Sequence, residues 1–273
     1  MASNEWDDWM QKIVNFYVFK TDGINTNMLF VTNDDRVYGM GANDYGVLGT
    51  GDDMCANKPT PISMLKDKRI INFLSGKKFT VFYSSDNCVY SCGNNSWGQL
   101  GSEGLVGQLM VTPMKVQINK NNALVHDISC GSDHTLVLTH RHQVYGWGSN
   151  RFGQINSRDT AIEVIDTPVL IDFNGNQCIK AVHCCRNTSF ALTSDGQVFI
   201  WGVTGGETGV EVFNRQLDEP MDCLEYYITC ELLLDILKCV RYLHQLEPPV
   251  IYRDLKPDNI LIANYIENGQ VIR

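Results

Sequence analysis

A five-residue pattern occurs four times between residues 37 and 202, and it restricts the possible folds more than any other feature of the chain. The copies are Val37-Tyr-Gly-Met-Gly41, Val89-Tyr-Ser-Cys-Gly93, Val144-Tyr-Gly-Trp-Gly148 and Val198-Phe-Ile-Trp-Gly202. Their starting positions, 37, 89, 144 and 198, differ by 52, 55 and 54 residues. A period near fifty, with short apolar segments set between turn residues, is the mark of stacked sheets. Each unit is too small to bury its own apolar faces and must bury them against the next one.

The agreement runs past the pentapeptide. Three copies continue as Gly41-Ala-Asn43-Asp-Tyr-Gly46-Val-Leu-Gly49, Gly93-Asn-Asn95-Ser-Trp-Gly98-Gln-Leu-Gly101 and Gly148-Ser-Asn150-Arg-Phe-Gly153-Gln-Ile-Asn156. Upstream of each valine lies a second signature. Its cleanest form is Gly131-Ser-Asp-His134-Thr-Leu-Val-Leu-Thr, and Gly76-Lys-Lys-Phe-Thr and Cys185-Arg-Asn-Thr-Ser are weaker forms. Leu136, Val137 and Leu138, and likewise Val81 and Phe82, predict short strands. Ser194-Asp-Gly196-Gln predicts the turn of a hairpin. The repeated glycines allow positive φ or close approach of backbones, and the Trp or Tyr beside each pair suits packing between neighbouring units.

The composite G-x-x-H-T-x-x-L-T…V-Y-x-W-G-x-N-x-x-G-Q-L-G resembles the RCC1 repeat across residues 13–202. Ile24 and Cys185 depart from its leading glycine, and Asn156 departs from its last one. The resemblance implies a mainly β chain forming an incomplete RCC1-like β-propeller of fewer than four full repeats, where the family closes seven blades. It also implies protein partners, because such domains serve as scaffolds, ubiquitin-ligase modules or exchange factors, the last acting on a small GTPase. Fold alone does not choose among these.

After a junction at residues 203–211 the pattern changes. Leu224, Ile228, Leu232, Ile236, Val240 and Leu243 recur every three or four residues and predict one amphipathic helix. Asp222 and Glu225 fit its start and Pro248-Pro249 its end. Next, Val250-Ile-Tyr-Arg-Asp-Leu-Lys-Pro-Asp-Asn-Ile-Leu-Ile262 resembles the catalytic loop of Ser/Thr protein kinases, with Tyr252 in place of the usual His. Residues 212–273 are therefore expected to be a small α-helical piece of a kinase C-lobe. By that resemblance Asp254 would orient the substrate hydroxyl and accept its proton, and Lys256 would lean on the γ-phosphate. Asn259 would hold Mg²⁺, Leu261 would pack beneath the adenine, and Arg253 would receive a phosphorylated loop. ATP and Mg²⁺ are the cofactors implied for a complete parent. A Gly-rich loop, a V-A-I-K lysine and D-F-G are missing from the 273 residues, so this chain by itself is expected to be catalytically incomplete.

Charge and cysteine usage narrow the partners further. The formal net charge of −9 repels phosphate backbones, which argues against nucleic acid as the main partner. No segment has the length and apolarity to span a bilayer. The opening MASNEWDDWMQKIVNF lacks a basic start followed by an apolar run, which points to the cytosol or nucleus. Ten cysteines without a framework, Cys88 and Cys92 and the pair Cys184-Cys185 among them, are expected to be small buried hydrophobes and not zinc ligands.

Overall fold

In the computed structural model each of the first three copies of the repeat becomes one antiparallel four-stranded sheet, and the fourth belongs to a sheet of five strands. The structure describes residues 9–21, 25–118, 123–156, 161–173, 177–204, 207–208, 211–213, 265–267 and 270–272. The first sheet runs β1 (Ile13–Thr21), β2 (Asn25–Thr32), β3 (Val37–Gly41) and β4 (Ala56–Pro61). The second runs β5 (Ile70–Ser75), β6 (Phe79–Ser84), β7 (Val89–Asn94) and β8 (Leu109–Val116). The third runs β9 (Val125–Cys130), β10 (His134–Thr139), β11 (Val144–Ser149) and β12 (Val164–Leu170). In all three, sequence neighbours pair directly, so each blade is a plain meander. The Val-Tyr/Phe-x-x-Gly pentapeptide forms the third strand each time, as its spacing predicts.

The fourth sheet has β13 (Ile179–Cys185), β14 (Thr188–Thr193) and β15 (Val198–Thr204), with β16 (Glu207–Thr208) folded back on the end of β15. Its outer position is held by β17 (Glu211–Phe213), where Val198 pairs with Phe213 and Ile200 with Glu211. Strand pairing thus runs past residue 202, where the repeat signature fades, into the segment expected to be junction and kinase piece. The chain divides into two compact units at Arg215 and Gln216. In the second unit β18 (Tyr265–Glu267) pairs with β19 (Gln270–Ile272) as a hairpin. The helix expected over Leu224 to Leu243 lies outside the described residues.

The core lies between the sheets. Phe19, Leu29 and Leu48 of the first blade meet Ile70, Phe73 and Phe82 of the second. Phe79, Val81 and Leu100 then meet Ile128, Val137 and Trp147 of the third. Leu136, Leu138 and Val144 meet Val182, Phe199 and Trp201 of the fourth. Alternate residues of β10 therefore face opposite neighbours, Val137 one way and Leu136 and Leu138 the other. A strand covered on both faces has no polar side, which is why all six of its residues are buried. The fourth strands are the outer strands of their sheets, with a ladder on one side only, and Pro61, Pro113 and Pro168 fall in them, where a missing N–H costs least; Pro113 is itself buried against Gly49 of the preceding blade.

The first strands of successive sheets touch one another. Their turns into the second strands are joined by backbone hydrogen bonds at one end of the blades. Lys77 N–H donates to the Ser132 carbonyl and Ser132 N–H to the Arg186 carbonyl, each at 2.8 Å. Glycine makes this approach possible. A Cβ on Gly76 would lie 2.7 Å from the Gly131 carbonyl oxygen, and one on Gly131 would lie 2.6 Å from that of Arg186. Each Cβ would also strike a ring of its own turn, Phe79 or His134. In the fourth blade Cys185 takes the glycine position and the short Thr188 takes that of the ring.

The expectation for cysteine holds only in part. Cys92 and Cys184 are buried, whereas Cys55 and Cys178 are exposed. No group of metal-ligating side chains of the size a metal ion needs occurs among the described residues.

Candidate protein-interaction face

Antiparallel order places two kinds of connection at the same end of every blade. One is the short turn from first to second strand. The other is the long loop from third to fourth strand, which carries the Asn-x-aromatic-Gly part of the repeat. Among the described residues these loops add no ladder, and a 3-10 turn at Asp44–Gly46 is their regular element, so something else must satisfy their backbone groups, and the repeated asparagine does so.

Asn43, Asn95 and Asn150 are each wholly buried. In the first loop Asn43 Oδ1 accepts from Leu48 N–H at 3.0 Å, while Nδ2 donates to the carbonyls of Asp52 and Met54. In the second, Asn95 Oδ1 accepts from Leu100 N–H and Nδ2 donates to the Leu105 carbonyl at 2.8 Å. In the third, Asn150 Oδ1 accepts from the N–H groups of Ile155 and Asn156, and Nδ2 donates to the Ile162 carbonyl. One side chain thus ties together the described parts of each loop and supplies the donors and acceptors that water would otherwise provide.

The next residues fasten the loop to the following blade. Trp147 Nε1 donates to the Gln99 carbonyl at 3.0 Å across the interface between blades two and three. Gly101 leaves room for the indole, since a Cβ there would sit 2.8 Å from Nε1. One interface earlier, the Cys92 thiol makes the equivalent contact to the Val47 carbonyl at 3.5 Å. One interface later the scheme changes. Ser189 Oγ donates to the Gln154 carbonyl at 2.7 Å and takes the place where Trp201 would bond. Asn156 there replaces the glycine, and Trp201 Nε1 has no partner. His134 Nε2 lies 2.9 Å from Ser189 Oγ. Because that hydroxyl gives its proton to Gln154, His134 donates through Nε2, and Nδ1 is left bare. Burial holds this imidazole down to about 3, so it stays neutral and acts as a strut between blades three and four.

With the loops fixed, their aromatic residues form a row at equivalent positions: Tyr45, Trp97 and Phe152. Cations lie over two of them. Lys78 Nζ is 4.5 Å from the Tyr45 ring centre, and the Arg151 guanidinium is 4.9 Å from that of Trp97. Phe152 is 39% exposed, a large share for a phenyl ring in an ordered loop. Aromatic rings backed by cations on a rigid frame suit the binding of another protein. The sequence predicts that the Trp or Tyr beside each glycine pair packs between blades. The structure gives that role to Trp147 and Trp201, packs the half-buried Tyr45 against the core between blades one and two, and leaves Trp97 half-buried and Phe152 exposed. The alternation of buried Asn and Gly with an intervening ring was the available signal.

The residues singled out from the kinase-like motif, Arg253, Asp254, Lys256, Asn259 and Leu261, lie outside the described residues. Neither their geometry nor a fit to ATP or Mg²⁺ is part of the structure.

Comparison with known proteins agrees with the blades. The model of the regulator of chromosome condensation (RCC1) repeat matches residues 34–83, 86–138 and 141–192. The ultraviolet-B receptor UVR8 of Arabidopsis thaliana is 32% identical over 196 residues, covering 71% of this chain and 43% of the receptor. The serine/threonine-protein kinase Nek9 of Mus musculus is 29% identical over 184 residues, covering 66% of this chain and 18% of that kinase, in the propeller region. The chain therefore spans less than half the length of either relative. Among solved structures, Prp20p of Saccharomyces cerevisiae superposes with a TM-score of 0.57 at 21% identity, over 70% of this chain and 45% of that one, a likeness of fold.

Proposed function

The chain belongs to the RCC1-repeat family, and from that premise we propose that it is a non-catalytic protein-binding scaffold whose working surface is the end bearing Tyr45, Trp97 and Phe152. The observation that carries this reading is the row itself. Three blades present a ring at the same loop position, each loop held by a buried asparagine, so the surface is pre-organised and costs little ordering on binding. Prp20p is described with binding to Gsp1p and histones, and by that likeness a small GTPase is one protein partner proposed here. No helix among the described residues is long and apolar enough to cross a membrane. The acidic balance of the chain favours protein over nucleic acid, and we place the protein in the cytosol or nucleus.

Capture of the full chain from cells, with chemical crosslinking and mass spectrometry, tests this. Crosslinks to partners are expected to concentrate on the loops at residues 42–55, 95–108 and 150–156, and the yield is expected to fall several-fold in Trp97→Ala. Crosslinks spread evenly over both ends of the blades, unchanged by that substitution, would overturn the assignment.

The motif at Val250–Ile262 supports a second reading, in which the scaffold is the recruiting part of a Ser/Thr kinase parent that uses ATP and Mg²⁺. In this reading Asp254, Lys256, Asn259, Leu261 and Arg253 keep the roles implied by the resemblance. The present chain, lacking a V-A-I-K lysine and D-F-G, is expected to transfer no phosphate from labelled ATP to itself or to a generic substrate. Turnover that disappears in Asp254→Asn would show the opposite.

A further inference from the structure

The joint between blades three and four is less completely bonded than the one before it. Among the described residues four buried side-chain polar atoms have no hydrogen-bond partner, and three of them, His134 Nδ1, Gln154 Nε2 and Trp201 Nε1, belong to this joint. Between blades two and three the equivalent groups are satisfied. Trp147 Nε1 donates to the Gln99 carbonyl, and Gln99 Nε2 donates to Asn94 Oδ1 at 3.2 Å and to Asp133 Oδ1 at 3.3 Å. In blade four Asn187 stands at the repeat position of Asp133. What holds blade four is the packing of Val182, Phe199 and Trp201 on Leu136 and Leu138, together with a few bonds. Cys184 N–H donates to Ser129 Oγ at 2.8 Å, Ser132 N–H donates to the Arg186 carbonyl at 2.8 Å, and His134 Nε2 donates to Ser189 Oγ at 2.9 Å.

This joint has no place for a positive charge. His134 is wholly buried, and a second proton on its ring would go to Nδ1, which has no acceptor. The groups that surround it offer no counter-charge. On its own turn the Asp133 carboxylate accepts from Gln99 of blade two. The loop of blade three brings the Gln154 amide, β14 the Ser189 hydroxyl and β15 the Trp201 indole. Burial pushes the Cys184 thiol of β13 well up and the Cys130 thiol of β9 up to about 12, so both stay neutral. Arg186 meets this turn through its carbonyl, and its side chain is exposed. His183, also on β13, is an exposed second imidazole, lowered by partial burial and raised by Asp127.

We infer that blade four is an acid-released unit: as the pH falls, His134 takes a proton and blade four lifts off blade three, uncovering Leu136 and Leu138 on one side and Phe199 and Trp201 on the other. With the joint closed, burial holds the imidazole down to about 3, against an ordinary value of 6.5 once it meets water. Between these two values only the open form binds the proton, so the closed form loses stability as the pH falls below 6.5. From about pH 7.5 to about pH 5.5 the opening equilibrium is expected to rise about tenfold.

Amide hydrogen exchange of the full chain, read by mass spectrometry at these two pH values and corrected for intrinsic exchange rates, tests this. Peptides covering β13 to β15 are expected to show the tenfold rise, while peptides covering β5 to β7 change by less than about twofold. Glutamine at position 134 keeps an N–H donor for Ser189 and cannot titrate. His134→Gln is therefore expected to cut the rise in blade four to less than about twofold. His183→Gln is expected to keep at least about half of it, which separates the two imidazoles. An equal rise in blades two and four, a rise below about twofold in blade four, or an undiminished rise in His134→Gln would each overturn the inference. Should His134→Gln fail to fold, the comparison of blades in the unaltered chain and in His183→Gln decides it.

Discussion

Trp147→Ala is expected to lower the stability of the chain by about 3–5 kcal/mol, measured by urea unfolding. Trp147 is wholly buried and belongs to the apolar cluster shared by blades two and three. Truncation removes most of its contacts with Val81 and Leu100's neighbourhood and leaves a cavity between two sheets that cannot easily close, because each is fixed by its own ladder. It also strands the Gln99 carbonyl, which loses its 3.0 Å donor inside a buried interface. A comparison isolates the hydrogen bond. Trp147→Phe gives up that bond, whereas Trp201→Phe gives up none, since Trp201 Nε1 has no partner. The first is expected to cost about 1 kcal/mol more than the second. Because blades interact mainly with their neighbours, the Trp147→Ala transition is also expected to broaden or split as the two sides uncouple. A single sharp transition with a loss under about 1 kcal/mol would refute the claim that this indole couples the blades.

The second large effect is expected from Asn150→Ala, at about 2–4 kcal/mol from the loss of several buried hydrogen bonds. Alanine would leave the N–H groups of Ile155 and Asn156 and the carbonyl of Ile162 without their present partner. Alanine is smaller than asparagine, so some of this cost is relieved if water enters. Asn150→Asp keeps the acceptor but replaces the donor with a buried negative charge, and it is expected to be at least as damaging. Limited proteolysis supplies the local reading: cleavage near residues 150–163 is expected to rise well before the sheets unfold. A variant that keeps both its midpoint and its resistance to cleavage would show that the loop is held by other means.

How far the sequence could be read depended on how strongly each segment is constrained. The second and third strands were plain because they are covered on both sides. Val137 cannot become polar without disturbing one interface, nor Leu136 without disturbing the next, and Val-Tyr/Phe-x-x-Gly repeats for the same reason. The fourth strands were not legible in this way. Ala56–Pro61, Leu109–Val116 and Val164–Leu170 share little beyond a Thr-Pro pair at 60–61, 112–113 and 167–168, since an outer strand, with a ladder on one side only, asks less of its side chains than a strand enclosed between two blades. That is also why Glu211–Phe213 went unrecognised as the outer strand of the fourth sheet. The face itself was half visible. The asparagines and aromatics stood in the repeat, but motif spacing could not tell that the former are wholly buried while Tyr45 and Trp97 are half-buried and Phe152 is exposed. Nor could it show that Lys77 and Arg186, 109 positions apart by subtraction, flank the same serine.

The cysteine at position 185, where blades two and three have glycine, bears on how closely a further blade could pack. Gly76 and Gly131 let neighbouring turns close to backbone contact, so blades two, three and four are clamped at one constant step. Cys185 carries the carbon atom that those two positions lack. Any sheet packed against the far side of blade four must therefore stand off farther than its predecessors did, or its carbonyl would press on that atom at a distance real contacts do not reach.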